Sequence, residues 1–427
     1  MGTVFAVLVL IILFMFRRRL RAYVRRWRMV LLVEPDVRRY VRDLTRPAVV
    51  SKVMDSAGLS RAAGMGPTSP PLRCVTSTPL GVRAEYRPFI GQAKADWERL
   101  GPLLVTALGA DAVRVSERPG RMVVDVITRD PLEVGFDATF VPCAVEHDWS
   151  LLVGMDEMGD DLWWPLRNRA GSVVGGVPGS GKSAGLGWLL AQLLWEPVQF
   201  AVFDGKGGSE WEWMKPRAFL FDRCDDLELV RDEMTSLVDL LRTRARTMMA
   251  LTGSSSFWDA GPTEGVPYVV VVIDECQRIF DSSGLSKDQK ALVAEITSCV
   301  ADLVRQGRSL GFLVVSATQR PTADSIPTQV RDNSDIRGCF AVRSREAETA
   351  TLGSDIGDSV VRPTALSLPR HRGVMVTQDS VGDWTRCRLP FIDESRLREL
   401  ADEAAELVTD PRVVVATDDV EPDSVSS

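Results

Sequence analysis

Residues 176–183 read "GVPGSGKS". The spacing G-x-x-x-x-G-K-[ST] belongs to a loop that closes backbone N–H groups around phosphate. Gly176, Val177, Pro178, Gly179, Ser180 and Gly181 would form the cradle, and Ala184 would complete it from the first turn of a helix. Lys182 would reach the β- and γ-phosphates of ATP, and Ser183 would ligate Mg²⁺. Lysine is rare in this chain, occurring at Lys52, Lys94, Lys182, Lys206, Lys215, Lys287 and Lys290. Finding one at the motif position is therefore informative.

Three further stretches carry candidate chemistry. "YVVVVIDE" (268–275) runs four valines and an isoleucine into a carboxylate pair. Asp274 would hold Mg²⁺, and Glu275 would orient and deprotonate an attacking water. "FLVVSATQRP" (312–321) is a second apolar run with a polar end. Thr318 or Gln319 would sense the γ-phosphate or position water, or merely cap a strand. "LVRQGRSLG" (303–311) places Arg308 near a helix end, as a solvated arginine or as a finger reaching a neighbouring subunit's ATP. "FDGKGGSE" (203–210) has the glycines and lysine of a phosphate loop without its spacing. Asp204, Lys206 and Glu210 end the strand that follows the phosphate-loop helix, so they are expected beside the nucleotide site.

The elements that must position these residues follow from periodicity. Apolar runs at 172–176, 198–204, 268–275, 312–318, 339–344 and 373–378 alternate with helical stretches. Strands that are apolar at every position are buried on both faces. Their alternation with helices predicts an α/β fold with a central, mostly parallel sheet. Ligands in such sheets sit at the carboxyl ends of the strands. Residues 75–159 predict a small α+β domain, including two strands about Pro119-Gly120. Residues 29–74 predict a helical segment and a Gly/Pro linker; 160–392 the main α/β domain; 393–427 a helix and an acidic disordered tail.

The chain has 427 residues, 26% of them charged, and a net charge of -7. Any nucleic-acid surface must therefore be local. Seven cysteines without a C-x-x-C pair predict free thiols. Two histidines far apart argue against a zinc site. The apolar run Val4 to Phe16 is followed by Arg17, Arg18, Arg19, Arg21, Arg25, Arg26 and Arg28. That order predicts a single membrane anchor over residues 1–28 with the motor in the cytoplasm, although the run is short for a bilayer.

Taken in order, "GVPGSGKS", "FDGKGGSE", "VVVVIDE", "QGRSLGFLVVSATQRP" and "VRDNSDIRGCFAVRS" resemble the FtsK/SpoIIIE double-stranded DNA translocases, over about 75–390. The resemblance implies a RecA-like P-loop ATPase motor over 160–392, homohexameric around duplex DNA, with Gln306-Gly307-Arg308 presenting a trans-acting arginine. It places the nucleotide-site motifs on Lys182, Ser183, Asp274, Glu275 and Thr318-Gln319. It also places an Asp-Pro-Lys-like motif on Asp204 and Lys206, followed by Glu210, with Gly205 in the proline's place; the turn is then expected to be looser, and Lys206 to support the site's geometry rather than grip ATP. No domain for reading orienting sequences is expected after Phe391. A short, single-motor, arginine-rich chain is most similar to the Tra-type transfer proteins of actinobacterial conjugative elements. Chromosome partitioning, a type VII secretion-like coupling ATPase, and a monomeric P-loop kinase or ATP-regulated binding protein stand as alternatives.

Overall fold

The computed structural model describes residues 30, 33–63, 66–322 and 325–416. The expected anchor over 1–28 and the acidic tail from 417 lie outside them. Among the described residues no helix is long and apolar enough to cross a membrane. The chain divides into two compact units, Met1–Pro131 with Glu157–Gly159, and Leu132–Asp156 with Asp160–Ser427.

The first unit opens with helices Arg38–Leu44 and Pro47–Ser56 and a short hairpin of β1 (Arg61–Ala63) and β2 (Gly66–Thr68). An antiparallel sheet follows, ordered β3 (Leu72–Thr78), β4 (Gly81–Tyr86), β6 (Arg121–Ile127), β5 (Ala112–Arg118). Gly120 takes φ 71° between β5 and β6, which explains a glycine at that turn. Val37, Val41, Leu44 and Met54 share a core with Val82, Trp97, Leu104 and Val124. The expected helical segment and linker are thus part of one unit with the small α+β fold. Their apolar faces, too small to be stable alone, are buried on its sheet.

Among the described residues of the second unit, ten strands form one sheet. They are β7 (Ser150–Asp156), β8 (Asp161–Pro165), β9 (Gly171–Gly175), β10 (Val198–Asp204), β11 (Ala218–Asp222), β12 (Tyr268–Asp274), β13 (Phe312–Thr318), β14 (Ile336–Cys339), β15 (Val374–Gln378) and β16 (Trp384–Arg388). The order is β11-β10-β12-β13-β9-β14-β15-β16-β7-β8. Pairing is parallel from β11 to β14 and antiparallel from β14 to β8. Every residue of β10, β12 and β13 is buried, as unbroken apolar runs require. Long helices Leu227–Thr252 and Lys287–Leu310 pack against each other. Arg244 of the first donates to the carbonyls of Leu310, Gly311 and Pro267, tying both helices to the starts of β12 and β13. Burial pulls its pKa down to about 9.

Two sequence expectations shift here. The boundary at 159/160 falls inside the β7–β8 hairpin, whose first strand pairs with β16 in the sheet of the second unit. The strand expected at 339–344 is β14 at Ile336–Cys339 instead. After Cys339 the backbone leaves the ladder: Phe340 N–H donates to Gly175, and Val177 N–H donates to Ala341. The apolar run Phe340–Val342 is buried against the phosphate loop rather than in a strand.

Candidate nucleotide site

The loop 176–183 joins the end of β9 to helix Lys182–Ala191. Gly179 takes φ 76° and Gly181 φ 102°, both left-handed. A side chain at Gly181 would also meet the Gly373 backbone, whose N–H holds Ser180 O at 2.8 Å. The N–H groups of Gly179 and Gly181 donate to no backbone acceptor among the described residues. Those of Lys182, Ser183 and Ala184 open a helix, where no intrahelical acceptor exists. The Ser180 hydroxyl is buried without a hydrogen-bond partner. Unspent donors around a glycine cradle fit an anion of phosphate shape.

Register in the sheet brings the acidic residues to this loop. β10 pairs with β12 so that Asp204 lies opposite Asp274. Lys182 is buried and ion-paired with the Asp274 Oδ1, while the Trp211 indole donates to Oδ2 at 2.8 Å. The Ser183 hydroxyl donates to Glu210 Oε2 at 3.0 Å, and Lys206 Nζ holds the other oxygen of Glu210. Burial disfavours the Lys206 ammonium, but Glu210, helped by Asp274 and Glu275, outweighs it and raises its pKa. Among the described residues no group of three or more His, Cys, Asp or Glu could hold a metal. Mg²⁺ in sites of this chemistry needs only one or two protein oxygens beside phosphate and water. Ser183 and Asp274 are hard oxygen donors of that kind.

Glu275 sits just past β12 with φ 52°, a conformation that costs a side-chain-bearing residue on the order of 1–3 kcal/mol. Its carboxylate is held on both oxygens, by Gln277 Nε2 and, at 3.1 Å, by the Gln319 N–H. Gln277 also accepts from the Thr318 hydroxyl. Thr318, Gln319 and Glu275 are thus one hydrogen-bonded group at the carboxyl ends of β12 and β13. Arg308 is elsewhere. It lies before β13, at the opposite end of a seven-residue strand, roughly 20 Å from Thr318. Its side chain is 56% exposed and paired with Asp335 at 2.8 Å. The phosphate loop of the same chain is out of its reach.

"FDGKGGSE" is tighter than its glycines suggest. Gly205 N–H donates to Asp274 O at 3.0 Å, and a Cβ there would lie 2.8 Å from the carbonyls of Asp274 and Glu275. Proline would lose that bond and clash. The expected loosening is therefore absent, because the turn is clamped to β12. Asp204 Oδ1 accepts from the N–H groups of Lys206 and Gly207, and Oδ2 is buried with no partner. Burial raises the Asp204 pKa; its two backbone hydrogen bonds offset part of this, and Asp274 and Glu210 add to it. A raised carboxyl pKa means the folded chain holds the proton more tightly than the unfolded chain. Stability then falls as pH rises from the ordinary carboxylate range through the raised value. Asp204→Asn is expected to melt a few degrees above the parent at pH 7.5. The gap should close below about pH 4. A variant that melts lower at every pH would count against this account.

Trp211, Gln277 and Gly373 were not singled out by sequence. Trp211 and Gln277 lie close to recognised motifs, which was the available signal. Gly373 reaches the loop only through β15, far along the chain.

No family model matches the chain. The DNA translocase FtsK of Helicobacter pylori is 23% identical over 264 residues, covering 59% of this chain and 29% of that protein. The DNA translocase FtsK 1 of Neisseria meningitidis serogroup B is 22% identical over 356 residues, 72% of this chain and 42% of that protein. The chain thus spans less than half of these relatives. Among solved structures, the pCW3 conjugation coupling protein TcpA, in a monomer form with ATPγS, superposes with a TM-score of 0.57 at 19% identity, over 83% of this chain and 97% of that one. The chain is thus similar in sequence to the FtsK DNA translocases and shares its fold with the conjugation coupling protein TcpA.

Proposed function

We propose that this chain is an ATP-driven translocase of double-stranded DNA, working as a homohexamer anchored to the cell membrane by its N-terminal segment, and moving DNA between cells in conjugation. The observation that carries the nucleotide part is the convergence of Lys182, Ser183, Asp274 and Glu275 on one end of the sheet. The DNA part rests on the kinship with FtsK DNA translocases, and the conjugative part on the likeness to a conjugation coupling protein.

Lys182 would leave Asp274 for the β- and γ-phosphates, exchanging one anionic partner for another. The loop N–H groups of Gly179 and Gly181 and the helix N-terminus would bind the same phosphates. Ser183 and the freed Asp274 would hold Mg²⁺, which draws phosphate charge onto itself and orders the oxygens. Glu275, aimed by Gln277 and Gln319, would take the proton of the attacking water. Thr318 and Gln319 would couple that geometry to the loop after β13. Arg308, being remote from its own site, would serve a neighbour's.

Purified full-length chain should hydrolyse ATP about 10-fold faster with linear duplex DNA, regardless of its sequence. The stimulation should fall steeply between about 50 and 200 mM salt, since phosphate contacts release counterions. Steady-state ATPase assays across a salt series measure both. Equal rates with and without duplex would remove the DNA assignment while leaving the ATPase intact.

A further inference from the structure

Resting on the nucleotide-site reading, we infer that Glu210 is a positioning residue of that site, acting through Ser183. The Ser183 hydroxyl has one proton and two lone pairs to place. Asp274, the carboxylate proposed to share the cation with Ser183, has both oxygens engaged, by Lys182 and by Trp211. The proton goes instead to Glu210 Oε2 at 3.0 Å. Both lone pairs of the hydroxyl are then left for a cation.

Glu210 is itself placed by the fold. Asp204 Oδ1 gathers the N–H groups of Lys206 and Gly207, Gly205 is clamped to β12, and Gly207 turns with φ 67°. The chain therefore folds back over the start of helix Lys182–Ala191. Lys206 Nζ fixes the remaining oxygen of Glu210. This ion pair is about 40% exposed on each side and adds little stability by itself. Its consequence is orientation: it holds the acceptor that aims Ser183. The strand-end loop 203–210 is thereby part of the cation-binding side of the site, without touching phosphate.

The test is calorimetric titration of ATPγS into the full chain, with Mg²⁺ and with EDTA. Glu210→Ala should weaken binding about 10-fold with Mg²⁺ and change it less than about 2-fold in EDTA, as loss of one charge-assisted hydrogen bond implies. Glu210→Gln keeps an acceptor for the serine and should recover binding to within about 3-fold of the parent. In a Ser183→Ala background, Glu210→Ala should cost nothing more. Equal losses with and without Mg²⁺, or additive losses in the double variant, overturn the assignment. If the parent binds ATPγS and Lys182→Ala does not, but Glu210→Ala matches the parent, Glu210 alone is dismissed. If the parent binds no ATPγS, the nucleotide reading falls with it.

Discussion

Lys182→Ala is expected to weaken ATP binding about 100-fold and to leave hydrolysis at background, as loss of a desolvated charge at an anion site does. The side chain is 3% exposed and its partner Asp274 is fully buried. Removing the ammonium therefore also strands a carboxylate whose remaining contact is the Trp211 indole. Breaking one half of a buried pair costs about 3–5 kcal/mol. A falling melting temperature would then confuse lost binding with lost folding. The double variant Lys182→Ala/Asp274→Asn separates them. It removes the stranded charge, keeps an acceptor for Trp211, and should recover most of the melting temperature without recovering ATP binding. If the double variant binds ATP like the parent, Lys182 is a structural cation only.

Glu275→Gln should leave ATPγS affinity within about 3-fold of the parent and slow turnover by about 100-fold or more, the usual scale for loss of a general base. The substitution is nearly isosteric, and the amide oxygen still accepts from the Gln319 N–H. The strained backbone at φ 52° is unchanged, but the new amide nitrogen faces the Gln277 Nε2 donor, so one hydrogen bond is lost at a cost of about 1 kcal/mol. What is lost is the capacity to take a proton. Single-turnover assays beside binding titrations measure the split between chemistry and affinity. A slowing below about 5-fold would shift the role of base to another group and reduce Glu275 to a brace for Gln319.

The two predictions differ in how much of their basis was readable in the chain. The phosphate loop was, because its chemistry is local. Glycines at fixed offsets, one lysine and one hydroxyl lie on eight consecutive residues, and the backbone conformation they require is set by short-range sterics. The parallel strands were readable for a similar reason. β10, β12 and β13 are buried on both faces, so burial wrote itself into composition. The antiparallel edge was less legible. β8 and β16 are only partly buried and mix polar with apolar residues, and β7, although it carries the apolar run Leu151, Leu152 and Val153, is buried at only some of its positions, so the strands are weakly marked.

What the sequence determined alone was local form: a glycine-rich loop with one lysine and one hydroxyl opening a helix, a carboxylate pair at a strand end, and a mostly parallel sheet to hold them. What only the tertiary structure decided was partnership. The pairing of Lys182 with Asp274 and the indole of Trp211 on the same carboxylate depend on which strands lie side by side. So does the grip of Gln277 and Gln319 on Glu275. The separation of Arg308 from its own phosphate loop depends on the direction of β13. A strand reaches its neighbour across about 5 Å, whatever the distance along the chain, and no local pattern records that choice. Glu210 shows the same limit: its carboxylate meets a serine 27 positions away only because β10 ends beside the helix that Ser183 begins.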